Sequence, residues 1–399
     1  MIRLTQRIQK VKPSPTLAID TKAKAMKAEG IDVVGFGAGE PDFDTPDHIK
    51  QAAIDALKAG KTKYTPVGGI NELKDAIIQK FKRDNRLDYS REEILVSCGG
   101  KHSLYNAAQV LLEAGDEVLI PAPYWVSYPD QVLLNDAKPV VIDTREENGF
   151  KLRPEELEKA ITPKTRAFVL NSPSNPTGSA YTREELEGIA EVLVKKGVLC
   201  IADEIYEKIV YDGFEFVSIA SLNDKIKALT VTVNGASKVY SMTGWRMGYA
   251  AGPAEVIKAM TKLQGQVTTN INSATQWACV AALNGPQEFL ESWVGEFQKR
   301  RDYIVKRFNA MAGIRCYNPQ GAFYVFPNIS SYLPRKVKDG RLVETDSDFC
   351  DYLLEKHLVA CVAGSGFGAK GYMRLSYATS MENIEKGLDR IEKALSDFI

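Results

Sequence analysis

From Glu93 onward, short apolar and β-branched runs alternate with stretches of helical periodicity. Seven such runs occur, at 94–98, 117–121, 139–143, 167–171, 198–202, 229–233 and 247–251. Continuous apolar strands separated by helices predict an α/β fold with a mostly parallel central sheet covered on both faces. Ligands of such sheets collect beyond the carboxyl ends of the strands, so the polar residues there are the first candidates for chemistry.

Further elements flank this core. Helices are expected around Lys22, Lys24 and Lys27, over 47–59 with Pro46 at the first turn, over 71–84 and over 101–112. Beyond Gly252, a helical region over 253–312 is expected to break near Gly285-Pro286. The remainder, with QGAFYVFPNI, a helix near 349–356, a glycine loop, the run MRLSYA and a last helix, predicts a smaller α+β unit. A length of 399 residues exceeds one ordinary domain. The expected division is a large domain over 47–289 and a small one built from 1–46 and 290–399.

Composition narrows the function classes. Lys plus Arg equals Asp plus Glu at 51 each, so no global charge points to nucleic acid or an anionic membrane. The six cysteines form no C-x-x-C pair and the three histidines show no metal-ligand spacing, which argues against a zinc site. The N-terminal stretch is basic without an apolar h-region, and the expected location is the cytoplasm.

Candidate chemistry centres on NGASKVYSMTGWRMGY, residues 234–249, where Lys238 follows Gly235, Ala236 and Ser237 and precedes Arg246. A buried amine near a second cation loses its proton more readily and becomes a nucleophile for carbonyl carbon, whereas arginine stays charged and grips phosphate or carboxylate. A reactive lysine beside a phosphate clamp suits pyridoxal 5'-phosphate; an ordinary strand-turn-strand is the competing reading. Gly99-Gly100, at a strand end opening a helix, expose N–H groups to an anion. Gly37-Ala38-Gly39 is a tight turn or a plain loop. Tyr124, Trp125 and Tyr128 are core or a ring-stacking platform. Asn175 in the SPSNPTG turn presents an amide. Asp203 at a strand tip is a helix N-cap or the partner of a protonated ring nitrogen, with Tyr206 three residues on. Arg374 is a surface charge or a carboxylate clamp. Gly364, Gly366 and Gly368 are not a dinucleotide fingerprint, since no helix is expected after them.

Taken together, SKVYSMTGWRMGY, ADEIY, SPSNPTG, AGEPDFDTP, KYTPVGG and PYWVSYP resemble the fold-type-I aminotransferases of class I, and most closely the prokaryotic branch of the aspartate aminotransferases. The resemblance implies that Lys238 forms the Schiff base with the cofactor and shuttles the proton, and that Asp203 meets the ring nitrogen. It implies that Tyr206 and Asn175 contact the 3′ oxygen and that Trp125 stacks on the ring. It gives the phosphate to Arg246, Ser237 and the Gly99-Gly100-Lys101 turn, with Tyr64 reaching it from the other subunit of a homodimer. Arg374, Gly39, Asn175 and Trp125 are implied for the substrate. The region 266–276 lacks the arginine by which eukaryotic-type enzymes hold the distal carboxylate; Lys101 takes that place, and Lys12 and Thr16 are implied for bulkier dicarboxylates such as prephenate. The expected reaction is amino transfer from L-aspartate to 2-oxoglutarate. Alanine or aromatic aminotransferases and β-lyases on the same fold are the alternatives.

Overall fold

All seven apolar runs are strands of one sheet in the computed structural model, which describes residues 2–399. Across the sheet the order is Ile94–Ser97, Gly248–Ala251, Thr230–Gly235, Leu199–Asp203, Thr165–Asn171, Glu117–Ala122 and Lys138–Asp143. Gly248–Ala251 runs antiparallel to both neighbours, and the other pairings are parallel. Ile94–Ser97, Thr230–Gly235 and Gly248–Ala251 are buried at every position, while the edge strand Lys138–Asp143 has no buried residue.

The period-two geometry of the strands divides the apolar side chains between two layers. Leu95, Val231, Val233 and Ala250 pack with Leu104, Ala107, Ile257 and Met260 of the helices Gly100–Leu111 and Ala254–Val267. Ile94, Val96, Tyr249 and Ala251 face the opposite way, onto Asp47–Lys58, Asn71–Asn85 and Ser273–Asn284. The helical region after Gly252 breaks twice rather than once. Besides the expected break before Phe289–Ala310, the chain leaves helix at Thr268, Thr269 turns left-handed at φ 60°, and the Asn272 side chain caps the next helix by accepting from Thr275 N–H at 2.9 Å.

A second core joins the two ends of the chain. Val34–Gly35 pairs in parallel with Val359–Ala360, and the three-stranded antiparallel sheet Val362–Ala363, Met373–Ser376 and Tyr324–Val325 stands beside it. Gly364–Phe367 is a single 3₁₀ turn followed by a strand, in keeping with the expectation that no dinucleotide-binding helix begins there. Tyr206, Ile209 and Tyr211 of the large unit enter this second core, so the turn after Asp203 lies where the two units meet.

That turn is also held from behind. Buried Lys80 pairs with buried Glu207 and donates to Asn85 Oδ1 at 2.7 Å, while Asn85 Nδ2 donates to the other Glu207 oxygen at 2.7 Å. Glu207→Ala leaves the buried Lys80 charge only the Asp84 carboxylate at 4.0 Å and should cost about 3–5 kcal/mol in urea unfolding, whereas the double change Lys80→Met/Glu207→Leu should recover most of it. A single-variant loss below about 1 kcal/mol would contradict a buried, mutually dependent pair.

Candidate active site

The carboxyl ends of the buried strands open into a cavity of about 440 Å³ between the two units. A volume of this size accommodates a small aromatic cofactor with a short substrate. Lys238, Asp203, Tyr206, Gly39, Gly100, Lys101, Trp125, Asn175, Ser237, Arg246, Arg374 and Thr16 all line it.

Lys238 sits in the turn that follows Thr230–Gly235, and its Nζ donates to the Gly39 carbonyl. Burial pushes its pKa down to about 8, with the Arg374 and Arg246 cations adding to the shift and Glu40 and Asp203 opposing it. Asp203 ends the strand Leu199–Asp203 on the floor of the cavity. A turn comes after it, so the helix N-cap reading is corrected: Oδ1 accepts from Ile205 N–H at 3.4 Å, and Oδ2 accepts from the Tyr128 hydroxyl at 2.7 Å. Burial raises its pKa to about 6 against the pull of Tyr128, Ile205 N–H and Lys238.

Arg374 is not a surface charge. It is 2% exposed, with Nη1 donating to Asn175 Oδ1 at 3.0 Å, Nη2 donating to the Gly37 carbonyl at 2.6 Å, and Nε buried without a partner among the described residues. Its guanidinium lies over Tyr324 and Phe367, 4.7 and 5.0 Å from the ring centres. Asn175 is fixed in turn by its N–H, which donates to Asn171 Oδ1 at 2.9 Å. The Tyr206 and Tyr324 hydroxyls share a 2.7 Å hydrogen bond.

On the opposite side, Gly99 adopts φ +85° and the helix Gly100–Leu111 begins at once. A Cβ on Gly99 would stand 2.3 Å from Arg246 Nη2, and one on Gly248 would stand 2.2 Å from Gly100 N, so both positions require glycine. Arg246 Nη1 donates to the Thr243 carbonyl at 2.9 Å. Its guanidinium therefore lies at the positive end of a helix, an arrangement that favours a bound anion. Lys101 Nζ lies 4.7 Å from the centre of the Trp125 ring, and partial burial together with Arg246 lowers its pKa.

The charge balance of the cavity is one-sided. Lys101, Lys238, Arg246 and Arg374 are not ion-paired to any carboxylate among the described residues, while Asp20 pairs with Lys24, Glu40 accepts from the Thr243 hydroxyl and Asp203 accepts from Tyr128. The donor set thus fits anionic groups at Arg246 and at Arg374, a cationic ring nitrogen near Asp203, and an electrophilic carbon near Lys238.

Three expected residues stand outside the lining. Gly99 lies behind Gly100 against Arg246, Lys12 is exposed on the segment near Asp130, and Tyr64 is 90% exposed on a loop. The structure also brings in Tyr324, Asn171 and Glu40, which sequence reasoning left without a role in the site, and it places in the lining Tyr128, expected as core or a stacking platform, and Gly37, expected in a tight turn or a plain loop. Tyr128 carried a usable signal, standing three residues after Trp125 and so on the same side of a helical turn. Tyr324, buried in QGAFYVFPNI, carried none.

Comparisons with known proteins agree with this arrangement. The family model described as aminotransferase class I and II matches residues 31–391. An aspartate/prephenate aminotransferase of Nitrosomonas europaea is 52% identical over 99% of this chain and 100% of its own. An aspartate aminotransferase of Geobacillus stearothermophilus is 51% identical over 98% of each. Among solved structures, the aspartate aminotransferase of Rhizobium meliloti superposes with a TM-score of 0.97 at 48% identity, covering 100% of both chains. The Thermus thermophilus enzyme with maleate gives 0.93 at 43% identity, covering 98% of this chain and 100% of its own. A cavity rich in unpaired cations around a buried lysine, a fold shared with these structures and a family match over most of its length leave one assignment: the chain belongs to the class I and II aminotransferases.

Proposed function

We propose that this protein transfers the amino group of L-aspartate to 2-oxoglutarate with pyridoxal 5'-phosphate, alternating between the two half-reactions, and that it also accepts prephenate. The observation that carries the reading is the set of unpaired cations ringing Lys238, with Asp203 across the cavity. The names of the relatives support the substrates. When bound, the cofactor supplies an aldehyde for amine exchange and an electron-withdrawing ring that makes the substrate α-proton acidic.

The protein's residues then divide the work. Lys238 Nζ, shifted to about 8, can both give up and take back a proton near neutrality, as a general base and acid must. Asp203 holds a protonated ring nitrogen through its carboxylate. Tyr206 and Asn175 orient the ring oxygen, and Trp125 covers a ring face. The Gly99-Gly100 turn, Ser237 and Arg246 hold the phosphate at the start of Gly100–Leu111. Arg374 offers its guanidinium fork to the substrate α-carboxylate beside Asn175 and Gly39, and its stacking on Tyr324 and Phe367 fixes the plane of that fork. Lys101 meets the distal carboxylate, with Lys12 and Thr16 serving larger dicarboxylates. Tyr64, exposed in one chain, completes the phosphate site of a second copy in a homodimer.

Lys238→Ala should still bind cofactor, yet lose at least about 10³-fold in the rate of the aspartate half-reaction followed by absorbance. Turnover near the wild-type rate would remove Lys238 from the mechanism. Lys101→Gln should weaken aspartate and glutamate by about 1.5–3 kcal/mol while sparing aromatic donors, since only the dicarboxylates lose a charged hydrogen-bond partner. Equal losses for both classes in steady-state kinetics would move Lys101 to the phosphate or the fold. The dimer assignment predicts that Tyr64→Phe protein mixed with Lys238→Ala protein forms hybrids containing one intact site. Activity should then exceed the sum of the separate variants, and no gain after subunit exchange would contradict the shared site.

A further inference from the structure

We propose that Tyr128 is a positioning residue that holds the Asp203 carboxylate in its ionised form and, through the same ring, fixes Trp125 over the cofactor plane. The inference rests on the functional reading above and concerns a residue that the reading leaves unused. Tyr128 lies in the helix Ser127–Leu133, is 4% exposed, and spans the interval between the two groups. Its hydroxyl donates to Asp203 Oδ2 at 2.7 Å, and its ring meets Trp125 edge to face at 5.3 Å and 81°. The same phenol therefore braces both the carboxylate proposed to meet the ring nitrogen and the indole proposed to cover the ring face.

The direction of the effect depends on which partner keeps its proton. Burial and the neighbouring Asp203 charge hold the Tyr128 phenol far above its ordinary range, so it remains a donor at every working pH. A permanent donor stabilises the carboxylate more than the carboxylic acid, because a hydrogen bond to an ionised acceptor is the stronger one. Burial alone would leave Asp203 protonated at higher pH, as the upward shift to about 6 with Tyr128 in place shows. The other charged or titratable groups near this carboxylate are Lys238 from the turn after Thr230–Gly235, Tyr206 from the turn after Asp203 itself, and its strand neighbour Glu204. Arg374 acts one step further away, on Tyr206. All four remain unchanged when only the Tyr128 hydroxyl is removed. A shift between wild type and Tyr128→Phe therefore reports the one hydrogen bond.

The test measures the affinity of the apoprotein for pyridoxal 5'-phosphate from pH 5 to 9 by quenching of tryptophan fluorescence, alongside kcat and KM of the reconstituted enzyme. Affinity should fall on acidification as Asp203 takes up a proton. In Tyr128→Phe that fall should begin about one pH unit higher, the worth of a hydrogen bond to a charged group. The kcat for aspartate should drop on the order of tenfold, with KM little changed, because the lost interaction serves the ring rather than the substrate. Tyr128→Leu should also alter the fluorescence of Trp125, which Tyr128→Phe should preserve. Should Tyr128→Phe fail to fold, 3-fluorotyrosine placed at position 128 provides the second arm. As a stronger donor it should move the acid limb downward. A pH dependence of cofactor affinity that matches wild type in Tyr128→Phe, or an unmoved limb with fluorotyrosine, would overturn the proposal. If wild-type protein binds the cofactor but does not transaminate aspartate, the substrate reading fails while the affinity titration still decides the role of Tyr128. If no pyridoxal 5'-phosphate binds at all, both fall.

Discussion

Unpaired positive charge converging on one cavity sets the terms for the rest of this molecule. Lys101, Lys238, Arg246 and Arg374 converge on one space, and the carboxylates nearby are engaged with other partners. Such convergence is unfavourable without an anionic ligand, and it endures because the fold surrounding it is large and over-determined. Burial, with Arg374 and Arg246 adding to it and Glu40 and Asp203 opposing it, brings Lys238 to about 8 and so to a useful proton affinity.

The scaffold makes this arrangement rigid in two ways. Strand ends from Ile94–Ser97, Leu199–Asp203 and Thr230–Gly235 are buried within the sheet, where paired neighbours set their register. Close backbone approach does the rest: Gly248 passes beneath Gly100, and Gly99 leaves room for Arg246, so the helix start and the guanidinium occupy fixed positions. On the other wall, Arg374 belongs to the small antiparallel sheet, and it reaches the large unit through Asn175. One forked side chain therefore links the two units across the space that a substrate enters. This placement suits a group that must sense whether a carboxylate is present.

Much of this was legible in the chain. The seven strands were readable from apolar runs of the right length, since central strands buried on both faces leave no other pattern. Lys238, Asp203, Asn175 and Arg246 were recognisable because each stands at a strand end or a turn with small or rigid residues around it. Two roles could not be read from local sequence. The choice between N-cap and ring partner for Asp203 depends on the element after the strand, which is a buried turn anchored by Glu207 and Lys80 rather than a helix. Arg374 stands between Met373 and Leu375 in a short apolar run and has no motif of its own. Its burial is decided by Tyr324 and Phe367, which lie 50 and 7 residues away in the sequence. Tyr128 shows the same limit, because its partner Asp203 lies 75 residues further on.

On the proposed function, this cavity joins a reactive lysine to a dicarboxylate-reading set of cations. Its most direct test is a half-reaction titration of the holoenzyme, following the cofactor absorbance as L-aspartate is added and then 2-oxoglutarate. Aspartate should abolish the aldehyde-form band and 2-oxoglutarate should restore it, at concentrations well below those needed with alanine or an aromatic amino acid. A band insensitive to aspartate, or one discharged equally well by uncharged donors, would contradict it.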